Sequence, residues 1–184
     1  MRLYDVDMPN HLSGHHRRSV HLPGFDYAQP GAYFVTICAQ GHQCVFGEVV
    51  DGEMRLSRVG LLVQEEWLRI ADIRTRVHLN AFQVMPNHLH GIVIITSMPP
   101  TVGAHLRSPL HRAPKSLSSV VTGFKSAATK RVNELRRTPG QPLWQRNYHE
   151  HIIRNEPDLN LIGDNIVNNP AHWEHDTFNP KNIS

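Results

Sequence analysis

Apolar and polar positions alternate along the chain in a way that divides it into short strands and three helices. Residues 32–38 are β-branched and aromatic and read as a first, central strand. Residues 44–50 and 53–57 flank Asp51–Gly52, a pair that accepts the positive φ angles of a tight hairpin turn. Leu61, Leu62, Trp67, Leu68 and Ile70, with Glu65, Glu66 and Arg69 at helical intervals, predict a short amphipathic helix. Residues 77–84 alternate as a half-buried strand does. They turn through Met85, Pro86 and Asn87 into residues 88–95, a β-branched run expected as the antiparallel partner. Ser116 then caps a helix whose stripe is Leu117, Val120, Val121, Phe124, Ala127, Ala128 and Leu135, and Thr138, Pro139 and Gly140 end it. A strand over 148–154 follows, and Asn155 caps a last helix with Leu159, Ile162 and Ile166 on its core face, closed by Asn169–Pro170.

The order β, hairpin, α, β, β, α, β, α predicts an α+β domain: one antiparallel sheet with helices packed on it. Residues 1–31, punctuated by proline and glycine around His15, His16, Arg17 and Arg18, form an N-terminal arm, and 32–170 the domain. Residues 97–114 are a proline-marked loop, and 171–184 a C-terminal tail anchored by Trp173 and Phe178.

Composition narrows the class. With 184 residues, 40% hydrophobic and 19% charged, the chain suits one globular domain with tails and is not disordered. No apolar run is long enough to span a bilayer and no apolar signal core opens the chain, so the cytoplasm is expected. Cys38 and Cys44 fit no Cys-x-x-Cys or zinc spacing and read as small hydrophobes. The net charge of +3 hides an asymmetry: residues 101–154 hold 10 Lys and Arg against 2 Asp and Glu, whereas 155–184 hold 1 against 5. A basic middle segment is either a face for a polyanion or an ordinary solvated helix face.

The candidate chemistry centres on His88 and His90. Two residues apart on a strand, they project from one face, and Gly91 beside them would let a ligand or another backbone come close. Imidazole pairs suit transition metals, with a carboxamide or carboxylate completing the shell. His149 and His151 repeat the spacing, and spacing does not choose between the pairs. Trp144, Arg146, Tyr148, His149 and Arg154 interleave aromatic and basic character, which suits single-stranded nucleic acid; the other reading puts Trp144 in the core. His11, His15, His16, His105 and His111 fall in loops and read as solvated, while His42 and His78 have no partner visible in the sequence.

Several stretches in register resemble the REP-associated tyrosine transposases, relatives of the single-strand insertion-sequence transposases in the HUH endonuclease superfamily. They are Tyr33 to Cys38, Phe46-Gly47-Glu48, Val84 to Gly91, Gly123-Phe124-Lys125-Ser126, Trp144-Gln145-Arg146-Asn147, Glu150 to Glu156 and Asn169-Pro170, and together they run through nearly the whole domain. The resemblance implies a ferredoxin-like, RRM-like antiparallel sheet packed by helices. It also implies that His88 and His90 hold a divalent metal, Mg or Mn, that polarises a scissile phosphate. A tyrosine would then attack, leaving a 5′-phosphotyrosine and a free 3′-OH. The implied substrate is single-stranded DNA with hairpin-forming repeats, and the implied state a monomer.

One position departs from the family. The nucleophilic tyrosine is expected four residues before Asn169, itself the implied metal-binding amide, and Asn165 stands there, a carboxamide that is not competent for this step. Of the four tyrosines, Tyr4 and Tyr27 lie in the arm and Tyr33 in the first strand, which leaves Tyr148 as a substitute nucleophile. Phosphate contacts are expected from Arg17, Arg18, Lys115, Lys125, Lys130, Arg131, Arg146 and Arg154. Three expectations stand: a degenerate relative that binds hairpin DNA and metal without cleaving, a nuclease using Tyr148, or a non-catalytic RRM-like DNA or RNA binder.

Overall fold

A computed structural model describes residues 30–97 and 116–182. Most of the N-terminal arm, with Tyr4, Arg17, Arg18 and Tyr27, and the segment that includes Lys115 lie outside the described residues.

Four strands, β1 (Gly31–Cys38), β4 (Val77–Val84), β5 (His88–Ile95) and β6 (His149–Ile153), form an antiparallel sheet in the order β4-β5-β1-β6. β1 is central, paired on one side with β5 (Thr36 opposite His90) and on the other with β6 (Thr36 opposite His149). The hairpin β2 (Gly47–Val50) and β3 (Glu53–Leu56) turns at Asp51 and Gly52, with φ of 54° and 77°, the doubly positive geometry that Asp-Gly accepts. It forms a separate two-stranded sheet, not part of the main one. The backbone bond from Phe46 N–H to the Pro86 carbonyl ties it to the turn before β5.

Strand alternation gives the sheet two different faces. Tyr33, Val35 and Ile37 of β1 and Leu89, Val93 and Ile95 of β5 point into the main core, with helices α1 (Arg58–Ile73) and α2 (Leu117–Arg136) over them. Phe34, Ile92 and Ile94 point the other way and meet Leu159, Ile162 and Ile166 of α3 (Glu156–Asn168). Each helix starts where its capping side chain is: Ser57 accepts from Gly60 N–H, Ser116 from Ser119 N–H and Asn155 from Asp158 N–H. The α1 stripe is offset from the expected one. Val59, Val63, Trp67 and Ile70 are buried, while Leu61 and Leu68 are 49% and 48% exposed. Glu66 is buried with them because Arg131 of α2 and Arg69 both donate to its Oε1 at 2.8 Å.

Trp144 belongs to the core, with its ring 5.0 Å from Phe46 and 5.4 Å from Phe124. The segment read as a tail also packs. It forms 3-10 turns over Asn169–His175 and Pro180–Asn182 that fold back on the sheet. Among the described residues no helix is long and apolar enough to cross a membrane.

Gly91 has a use other than ligand approach. It shares the core face with Leu89 and Val93, and a Cβ there would stand 2.4 Å from the buried indole of Trp67. Overpacking of this kind costs about 1–3 kcal/mol. Gly91→Ala is expected to lower stability by about that amount in urea unfolding. An unchanged midpoint would show that the indole has room to move.

Candidate metal centre

The register that puts Leu89 in the core sends His88 and His90 to the opposite face, level with Thr36 of β1. Both rings are buried, at 0% and 3% exposure, and their Nε2 atoms approach to 3.0 Å. Each Nδ1 has its own partner: His90 Nδ1 lies 2.8 Å from Thr36 Oγ1, and His88 Nδ1 lies 2.9 Å from Asn87 Oδ1. Asn87 is wholly buried, and its Nδ2 donates to the carbonyls of His42 and Phe178, which leaves Oδ1 as an acceptor only. His88 therefore carries its proton on Nδ1 and offers a lone pair at Nε2. His90 donates Nε2–H to that lone pair, while its Nδ1 accepts from the Thr36 hydroxyl. Because a hydroxyl donates or accepts equally well, turning Thr36 round allows the other tautomer, in which both Nε2 atoms offer lone pairs.

A third donor comes from the C-terminal segment. Asp176 Oδ2 stands 3.8 Å from His88 Nε2, and one ligand atom from each of His88, His90 and Asp176 lies within 4.8 Å of the others. Its carboxylate is aimed by Phe178 N–H, which donates to Oδ1 at 2.7 Å, and by the amide of Asn169. Asn169 is 8% exposed, and its own Oδ1 is buried without a hydrogen-bond partner. Two imidazoles, a carboxylate and an unsatisfied carboxamide oxygen form a donor set suited to a divalent cation. Phe178 covers the group, its ring 4.8 Å from His88, and Trp173 lies 6.1 Å from the same imidazole.

The electrostatics keep both histidines neutral. Burial, followed by the neighbouring His90 and His42, holds His88 well below the usual imidazole range. Burial, followed by His149, lowers His90 to about 3. With His88 neutral, its 3.8 Å approach to Asp176 is not an ion pair. Burial raises the Asp176 carboxyl, against the pull of its two hydrogen bonds.

Other expected residues fall elsewhere. His149 and His151 share the face of the first pair but are exposed on β6. Asn165 is half-buried one helical turn before Asn169, beside Ile166 of α3. Tyr148 packs on the main core, across the sheet from the histidines, with its hydroxyl 3.3 Å from Ser118 Oγ. Tyr33 is buried in that same core. Arg131 is held by Glu65 and Glu66, and Lys130 lies 4.0 Å from Glu134. Lys125 donates to the carbonyls of Gln145 and Arg146, and Arg146 and Arg154 are exposed. Asp176 and the supporting Thr36 and Asn87 carry no local pattern that marks them as part of a site. The one hint of Asp176 is its place between two aromatic anchors in the C-terminal segment.

An uncharacterized protein of Haemophilus influenzae (strain ATCC 51907 / DSM 11121 / KW20 / Rd) is 36% identical over 168 residues, covering 88% of this chain and 92% of that protein. The two belong to one family. No protein-family model matches the chain. Among solved structures, a REP-associated tyrosine transposase bound to a REP hairpin superposes with a TM-score of 0.54 at 18% identity, covering 88% of this chain and 74% of the other. This chain therefore has the α+β fold of that transposase, as the resemblance implied.

The histidines give acid sensitivity a definite sign. Folded, they bind fewer protons than unfolded, so their contribution is present above pH about 6.5 and is lost as pH falls below it, for His90 toward about 3. Asp176, raised, works in the opposite direction. The urea midpoint is expected to fall between pH 7 and pH 4, and the fall to flatten in the double variant His88→Gln/His90→Gln. An unaltered slope in that variant would assign the acid sensitivity to other groups.

Proposed function

We propose that this chain binds single-stranded DNA with hairpin-forming repeats, holds a divalent ion at His88, His90 and Asp176, and does not cleave through Tyr148. The observation that carries the reading is the buried His-His-Asp group on one sheet face of a transposase fold, with both described tyrosines on the other face. A divalent cation bound there would supply Lewis acidity toward a phosphodiester oxygen. The chain's own part is to offer Nε2 of His88 and His90, to fix both rings through Asn87 and Thr36, and to bring one negative charge on Asp176. Asn169 has the vacant carboxamide oxygen to join them.

What is missing at this face is a hydroxyl on α3. Asn165 occupies the position from which the family's tyrosine would attack, and a carboxamide forms no phosphoester. Two nitrogen ligands favour Mn over Mg, which prefers oxygen and retains its water.

With single-stranded hairpin DNA and Mn, the wild type is expected to give no SDS-stable adduct, whereas Asn165→Tyr gives one. A wild-type adduct that disappears in Tyr148→Phe would overturn the reading. Calorimetric titration is expected to show Mn binding more tightly than Mg, and Asp176→Asn weakening Mn at least tenfold. Equal affinity in Asp176→Asn would remove that carboxylate from the site.

A further inference from the structure

Away from the histidines, on the α2 side of the β6 edge, lies a cavity of about 370 Å³. Ser118, Thr122 and Ser126, spaced four apart, line up their hydroxyls along the first turns of α2. Lys125 and Arg146 add two cations, and Tyr148 an aromatic wall. Among the described residues of the lining there is no carboxylate, in contrast to Lys130 and Arg131 further along α2, which face glutamates. Lys125 is half-buried, and two of its three N–H bonds go to the carbonyls of Gln145 and Arg146, so the third is left to a ligand. The start of α2, with its positive dipole end, borders the same space.

Hydroxyl donors, two cations and a ring in a space of this size match the parts of one nucleotide. A duplex is too wide for it, and ligand sites begin at about 300 Å³. We infer that this pocket takes one unpaired nucleotide of the bound DNA, its phosphate on Lys125 and Arg146 and its base against the Tyr148 ring. The inference rests on the hairpin-binding reading and gives Tyr148 a stacking role. Burial lowers the Lys125 ammonium, and a phosphate beside it would offset that cost.

Fluorescence anisotropy with two DNAs tests the assignment: a blunt hairpin, and the same hairpin with a short single-stranded extension. Wild type is expected to bind the extended DNA at least tenfold more tightly. Thr122→Leu and Ser126→Leu, both at exposed positions, fill the pocket and should remove that advantage while leaving blunt-hairpin affinity within twofold. Arg146→Gln should lower the salt slope for the extended DNA by about 0.7. Thermal unfolding checks that each variant folds, and two variants keep the test decisive if one does not. Equal binding of both DNAs by wild type, or equal weakening of both by the filling variants, overturns the pocket and leaves hairpin binding intact. Binding of neither DNA overturns both readings.

Discussion

A strand buried on both faces has to satisfy two environments at once, and β5 does so by strict alternation. Leu89, Gly91 and Val93 face the core under α1, while His88, His90 and Ile92 face α3 and the C-terminal segment. A one-residue slip would bury the imidazoles under Trp67 and turn Leu89 toward Asp176. The close contact of Gly91 with the indole opposes such a slip, because every other residue of β5 carries a Cβ that would meet Trp67 there. The fold and the candidate metal centre therefore depend on one register.

Much of this was legible in the sequence. The β-branched runs, the Asp-Gly turn and the three capping residues act over a few residues, so local pattern identifies them. The histidine pair was legible for the same reason, since a two-residue spacing on a strand fixes a shared face. Asp176 was not. It reaches His88 from 88 positions further along the chain, through turns whose course depends on packing by Trp173 and Phe178. The α1 stripe was misplaced because Leu61 and Leu68 are as apolar as the residues that are buried, and hydrophobicity alone does not show that α2 and the sheet meet the neighbouring face.

The basic middle segment divides into two kinds of charge. Arg131 joins α2 to Glu65 and Glu66 and serves the architecture, whereas Lys125 and Arg146 border open space. A net charge of one sign over a segment gave no means of telling these apart. The distinction lies in place: Arg131 is on the side of α2 that meets α1, whereas Lys125 on another side and Arg146 in the segment before β6 line the cavity.

The hydrogen bonding around the histidines has a consequence for how such a protein is made. Every nitrogen of the pair has a partner within the chain: Thr36, Asn87 or the other ring. The pair is thus held by hydrogen bonds within the chain, unlike a zinc finger, whose ligands are ordered by the metal itself. A divalent ion bound there would ask for a hydroxyl rotation at Thr36 and the transfer of one proton between ring nitrogens of His90. Stability and ion affinity are then separable quantities at this centre: its hydrogen bonds hold the two rings in place, whatever ion they would bind.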